Sequence, residues 1–187
     1  MTDLLQPAPE NGLARVVAAA SRKGVALDIR TVGGAAHTAE EAAAAVHAEL
    51  GQVVTALVFV APRPGGRLVP IVCLVSGGNR VDLALLAAVT GEVAIRVATA
   101  REARDLTGYP VGAVPPFGHG RGVRILMDQD LCQYQWLWAA AGADAAVFPV
   151  AARTLQMLSN AVVAPLAAAG WKVRLDAGQN AARPRFI

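Results

Sequence analysis

Apolar residues recur along this chain with two different spacings. Leu13, Val16 and Val17, followed by Ala18 to Ala20, follow a helical period that Gly24 ends. The next stretch, "VALDIRTV", alternates Val25, Leu27 and Ile29 with polar neighbours, as a half-buried strand does. "HTAEEAAAAVHAEL" returns to the helical pattern. Its start is marked by Thr38 and Glu41, a Thr-x-x-Glu capping box that can satisfy two unpaired N–H groups. Two unbroken apolar runs, Val53 to Val60 and Leu68 to Val75, are joined by "APRPGGR" and predict an antiparallel hairpin.

Beyond the hairpin, Asp82 can cap a short helix through Val89, and "EVAIRVA" reads as a strand. "TAREARDLTG" repeats the capping device with Thr99 and Glu102, and Gly108 ends that helix. "VRILMD", "LCQYQWLWAAAG" and "AAVFPV" predict three further strands, and helices over 151–158 and 161–169 close the fold. The order of elements predicts an α+β single domain: a mixed, mostly antiparallel sheet with surrounding helices rather than a regular βαβ repeat. The expected divisions are an N-terminal segment and helix over 1–24, the domain proper over 25–169 and a partly ordered tail over 170–187.

Composition narrows the classes of function. The chain has 187 residues, 55% hydrophobic, and its longest candidate span, "VVTALVFVA", is far shorter than the roughly 20 residues that cross a bilayer. "MTDLLQPAPENG" lacks the basic and apolar blocks of a signal peptide, so a cytoplasmic location is expected. Cys73 and Cys132 lie far apart in apolar stretches and read as two reduced core thiols. The formal charge of +3 permits an anionic partner without requiring one. Ser21, Ser76 and Ser159 lie in no nucleophile elbow, and His37, His47 and His119 form no metal-binding spacing, so neither a metal nor a cofactor is expected.

One segment stands apart. "TGYPVGAVPPFGHG", residues 107–120, holds four glycines and three prolines. Glycines let successive amides point inward and prolines fix the flanking dihedrals, a combination suited to cradling a carbonyl oxygen or phosphate. Rigid amides aimed at developing negative charge can catalyse without a reactive side chain.

Together with "TAEEAA", "VVTALVF", "VDLALLAAVTG" and "WAAAG", this segment resembles the YbaK/prolyl-tRNA synthetase-associated family over about residues 25–168. The resemblance implies a curved, barrel-like sheet and hydrolysis of the ester joining a wrong, small amino acid to a tRNA. The implied partners are the 3′ end of aminoacyl-tRNA and an aminoacyl-tRNA synthetase. On that basis Gly112 and Thr55 are the expected catalytic positions. Gly108, Ala113, Val114, Pro115, Pro116, Phe117, Gly118, His119, Val32 and Asp144 are the expected substrate-binding ones. Thr55 stands where the family carries a lysine, Val32 where some relatives carry a tyrosine, and Asp144 near the place of an aspartate close to Val147. The missing cation would have to come from an arginine such as Arg121 or Arg124. The lysine's absence also leaves open a non-catalytic protein that binds an aminoacyl-like ligand or a tRNA end. A third reading is an interaction protein using Trp136, Trp138 and Trp171.

Overall fold

The structure is a computed structural model that describes residues 11–32, 38–120 and 122–168. Five helices, α1 (Asn11–Ser21), α2 (Ala39–Ala45), α3 (Leu83–Thr90), α4 (Ala100–Thr107) and α5 (Ala152–Ser159), surround two sheets. The eight strands are β1 (Arg30–Thr31), β2 (Val54–Pro62), β3 (Leu68–Ser76), β4 (Arg96–Val97), β5 (Arg124–Asp128), β6 (Trp136–Ala140), β7 (Ala146–Ala151) and β8 (Val162–Ala164). The larger sheet has the order β4-β2-β3-β5-β8 and the smaller β1-β7-β6. They meet where Val53, just before β2, bridges to Trp138 of β6. The fold is therefore a mixed α+β domain of two sheets, and no closed barrel forms among the described residues.

The β2-β3 hairpin pairs antiparallel from Val54 opposite Ser76 to Pro62 opposite Leu68. Both of its faces are covered, which is why its strands read as continuous apolar runs. Val54, Ala56, Val58 and Val60 face a core shared with Leu137, Phe148 and Val150 of the smaller sheet and with Val16 and Leu155 of the helices. Phe59, Ala61, Ile71 and Cys73 face a second core closed by Leu86 and Leu166.

The three expected caps form. Thr38 with Glu41 and Thr99 with Glu102 make reciprocal capping boxes, and Asp82 accepts from the Ala84 and Leu85 amides. Several expectations are corrected. Val25, Leu27 and Ile29 do pack against the core, but only Arg30 and Thr31 of that stretch find a strand partner. Residues 129–133 form a short 3-10 turn ahead of β6 rather than extending it. Of the helix predicted over 161–169, none forms over the described residues 161–168: Asn160 ends α5 in the left-handed region (φ 51), and Val162–Ala164 pairs parallel with β5. A proline at 165 would break such a helix, and two β-branched residues suit the strand edge. The cysteines also divide. Cys73 is buried, its thiol pushed up to about 12 by burial and by the nearby Asp128 charge, whereas Cys132 is exposed.

Candidate functional site

The glycine- and proline-rich loop leaves α4 at Gly108, which takes the left-handed conformation (φ 78) that ends the helix. Tyr109 then turns into the protein interior. Its hydroxyl donates to the Gly118 carbonyl at 2.9 Å, tying the two ends of the loop together. Arg15 of α1 covers the Tyr109 ring, its guanidinium carbon 4.2 Å from the centroid, and donates to the Gly108 carbonyl at 2.6 Å. Changing Tyr109 to Phe leaves the partly buried Gly118 carbonyl without this donor, so stability should fall by about 1 kcal/mol and the melting temperature by a few degrees. Thermal denaturation of the variant measures this.

Between those anchors the loop divides its residues between interior and surface. Ala113, Val114, Pro115, Pro116 and Phe117 are buried, with Phe117 edge-on to Phe148 at 5.8 Å between ring centroids. Gly112 is exposed, with φ 93. The Ala113 amide donates back to Pro110 at 3.1 Å, whereas no hydrogen bond ties the Gly112 N–H to another described residue. A glycine tolerates this φ, and among the described residues its N–H has no partner.

Gly112 borders a small cleft of about 40 Å³ between α2, the start of β2 and the β6-β7 turn. Val32, Ala42, Val46, Val53, Val54, Trp138, Ala139, Ala140, Ala143, Asp144 and Val147 contribute to its walls. Asp144 is the one charged side chain among the described lining residues. It is exposed and makes no ion pair with a described residue. The fold thus brings Gly112, Val32 and Asp144 together from three distant parts of the sequence.

Other expected site residues lie elsewhere. Thr55, opposite Val75 in the hairpin, is not among the side chains lining the cleft, although Val53 and Val54 are; its hydroxyl is buried without a hydrogen-bond partner. Gly108 is occupied as a helix cap and by Arg15. Phe117, Gly118 and His119 border a second, larger cavity of about 500 Å³ with Arg22, Lys23 and Arg124. Arg124 bonds the Thr90 carbonyl and the buried Glu92 carboxylate, so it does not replace the expected lysine at the cleft. Arg121 lies outside the described residues.

His119 sits edge-on to Tyr109, with 5.6 Å between ring centroids. Burial pushes its pKa down to about 4; the Pro115 and Thr107 carbonyls oppose this and the Arg15 charge adds to it. Those carbonyls lie near the ring, but neither ring nitrogen reaches the distance and angle of a hydrogen bond, so burial decides the outcome. The imidazole is neutral in the folded protein near neutral pH. As the unfolded chain takes up this proton near pH 6.5 and the folded one only near 4, stability should be lost as pH falls across that window. A His119→Phe variant is expected to show a shallower fall in melting temperature from pH 6.5 to 4 than the parent.

A model of the aminoacyl-tRNA editing domain matches residues 34–158. The chain belongs to the aminoacyl-tRNA editing domain family. This matches the resemblance carried by the loop and the hairpin. The chain is 31% identical over 96 residues to a proline–tRNA ligase of Limosilactobacillus fermentum, an alignment covering 51% of this chain and 17% of the ligase. A solved structure described as a candidate trans-editing enzyme for prolyl-tRNA synthetase is 38% identical, with TM-score 0.75, covering 88% of this chain and 99% of the other. A scaffold protein used for epitope backbone grafting by computational design is 35% identical, with TM-score 0.76, over 84% of this editing-domain chain and 97% of that one. Among the described residues no helix is long and apolar enough to cross a membrane.

The cleft residues that sequence reasoning missed, Ala139, Ala140, Ala143 and Trp138 foremost, lie in or beside the "WAAAG" segment. The signal was a run of small residues at a strand end, where the chain can leave room for a ligand.

Proposed function

We propose that this editing domain is an aminoacyl-tRNA deacylase acting in trans on tRNA that carries a wrong, small amino acid. The observation that carries the reading is that one cleft, walled by Ala and Val, is lined by both Gly112, whose N–H has no partner among the described residues, and Asp144, which makes no ion pair among them. An aminoacyl ester offers the complementary groups: a carbonyl oxygen, an α-ammonium and a side chain. A volume of about 40 Å³ suits a small side chain and crowds a large one.

In this arrangement the carbonyl oxygen accepts from the Gly112 N–H, and Asp144 takes the α-ammonium as its counter-ion. Water adds to the carbonyl carbon. The negative charge that develops on oxygen strengthens the Gly112 hydrogen bond, which stabilises the transition state more than the ground state. Collapse breaks the bond to the ribose oxygen, which receives a proton from the attacking water, by way of the neighbouring ribose hydroxyl or a bound water. The products are the free amino acid and the tRNA with its terminal hydroxyl restored. This role places the protein in the cytoplasm, alongside a synthetase that makes the errors; the prolyl enzyme is favoured by the relatives.

The test is release of labelled amino acid from a panel of mischarged tRNAs. Alanyl or seryl esters are expected to be cleared well above the spontaneous rate and valyl or leucyl esters more slowly. No turnover on any member contradicts the proposal. A specific observation supports a second reading, a non-catalytic protein that binds the aminoacyl end. Thr55 replaces the family's lysine, and no cation stands among the described residues lining the cleft. Saturable binding of mischarged tRNA without turnover selects that reading.

A further inference from the structure

The smaller sheet has a covered inner face and a half-buried outer one that is exposed at Trp136. Leu137 and Ala139 of β6, with Phe148 and Val150 of β7, are buried. The alternate positions point outward: Trp136, Trp138 and Ala140 on β6, opposite Ala151, Pro149 and Val147 on β7. Trp136 is 52% exposed. This leaves a large apolar ring in water, although burying it would be favourable. Trp138 and Ala140 line the cleft, so the outer face runs from the cleft to Trp136 without interruption.

A cation lies beside this face. Arg30 of β1 holds its guanidinium carbon 5.1 Å from the Trp138 ring centroid. It also pairs with Asp28 at 2.7 Å, but both side chains are more than half exposed, so that pair is weakly held and open to exchange. Strand geometry adds a spacing: two residues along β6 advance about 7 Å, twice the roughly 3.4 Å between successive stacked bases. That spacing matches a flat, polarisable group taken up between Trp136 and Trp138, with Arg30, over the Trp138 ring, placed to meet a negative charge.

We propose that Trp136 and Trp138, with Arg30 beside them, form a stacking platform for the unpaired 3′-terminal nucleotides of the tRNA. This inference rests on the deacylase reading in one respect: it takes the ester-bearing nucleotide to lie at the cleft. Continuity of the face with the cleft puts the adjoining bases over the indoles. Arg30 supplies attraction to the phosphates between them. Base stacking on aromatic rings tolerates sequence, so the platform holds the common end of the tRNA while the cleft tests the amino acid.

The test uses the full chain and a 5′-labelled single-stranded oligoribonucleotide ending in CCA, with binding followed by fluorescence anisotropy. Trp136→Ala should weaken binding by about 10-fold, the range expected for loss of one stacked base. Trp136→Phe, which keeps a ring, should retain most of the affinity. An oligonucleotide with abasic 3′-terminal positions should bind the parent at least as weakly as the intact one binds Trp136→Ala. With mischarged tRNA as substrate, the loss should fall on KM. Equal affinity of parent and Trp136→Ala for the oligonucleotide overturns the platform, as does equal affinity of the parent for intact and abasic ends. If the parent leaves every mischarged tRNA intact, the deacylase reading fails, yet the oligonucleotide measurements still decide the platform.

Discussion

Replacing Gly112 with proline is expected to lower the rate of deacylation by about 100-fold or more. Two consequences of the substitution act together. The φ of 93 at this position is out of reach for a proline ring, whose φ is held near −65°. The substitution also removes the N–H, and loss of one donor to a developing oxyanion costs about 10² to 10³ in turnover. Gly112→Ala separates the two effects, because it keeps the N–H while straining the backbone by about 1 to 2 kcal/mol. Its rate should lie between those of the parent and the proline variant. Gly120→Ala is the control: Gly120 borders the other cavity, and a Cβ there would meet nothing within 4 Å. Single-turnover rates of the three variants, with circular dichroism to confirm folding, give the comparison. Equal rates for parent and proline variant would remove Gly112 from the mechanism.

Enlarging the cleft at Val32 should change which amino acid is removed. Val32 is buried at the cleft wall, and its replacement by alanine removes two methyl groups from a space of only about 40 Å³. One methylene in an apolar pocket is worth about 1 to 3 kcal/mol of discrimination, or 10- to 200-fold in kcat/KM. The ratio of valyl to alanyl clearance should therefore rise by at least about 10-fold in Val32→Ala. Stability should fall by about 1 kcal/mol, as is common when a buried side chain is shortened by this much. An unchanged ratio would mean that the amino acid side chain lies elsewhere.

Much of this fold was legible because its signals are local. Thr38 with Glu41, Thr99 with Glu102, and Asp82 each place their partners within three residues, so the sequence writes both halves of the interaction. The hairpin was similarly plain, since a short Pro-Gly turn joins two apolar strands. Errors arose where a distant partner decides the outcome. The apolar alternation of Val25, Leu27 and Ile29 predicted burial correctly, but a strand also needs a neighbour to bond, and only Arg30 and Thr31 lie beside β7. Residues 162–164 are a strand because β5 offers a parallel edge, which no local pattern announces.

The candidate site was legible as a set of segments and less so as a geometry. The loop was conspicuous in its glycines and prolines, but the sequence could not divide it. Ala113 to Phe117 turn inward to fill the core, Gly112 faces the cleft, and Gly118 and His119 border the second cavity. His119 shows the same difficulty, since a polar loop residue gave no warning that its ring would be buried against Tyr109. Trp136 presents the opposite case: a large aromatic side chain that, unlike Leu137 beside it, lies exposed, as a contact residue does.

The two cavities give the central claim a direct measurement. A non-hydrolysable alanyl-adenosine, with an amide in place of the ester, can be titrated into ¹⁵N-labelled protein while amide resonances are followed. The largest shift is expected at Gly112, with accompanying shifts at Val32, Ala140 and Asp144. Shifts confined to Gly118, His119 and Gly120 around the larger cavity, or none at all, would contradict the assignment of the aminoacyl group to the Gly112 cleft.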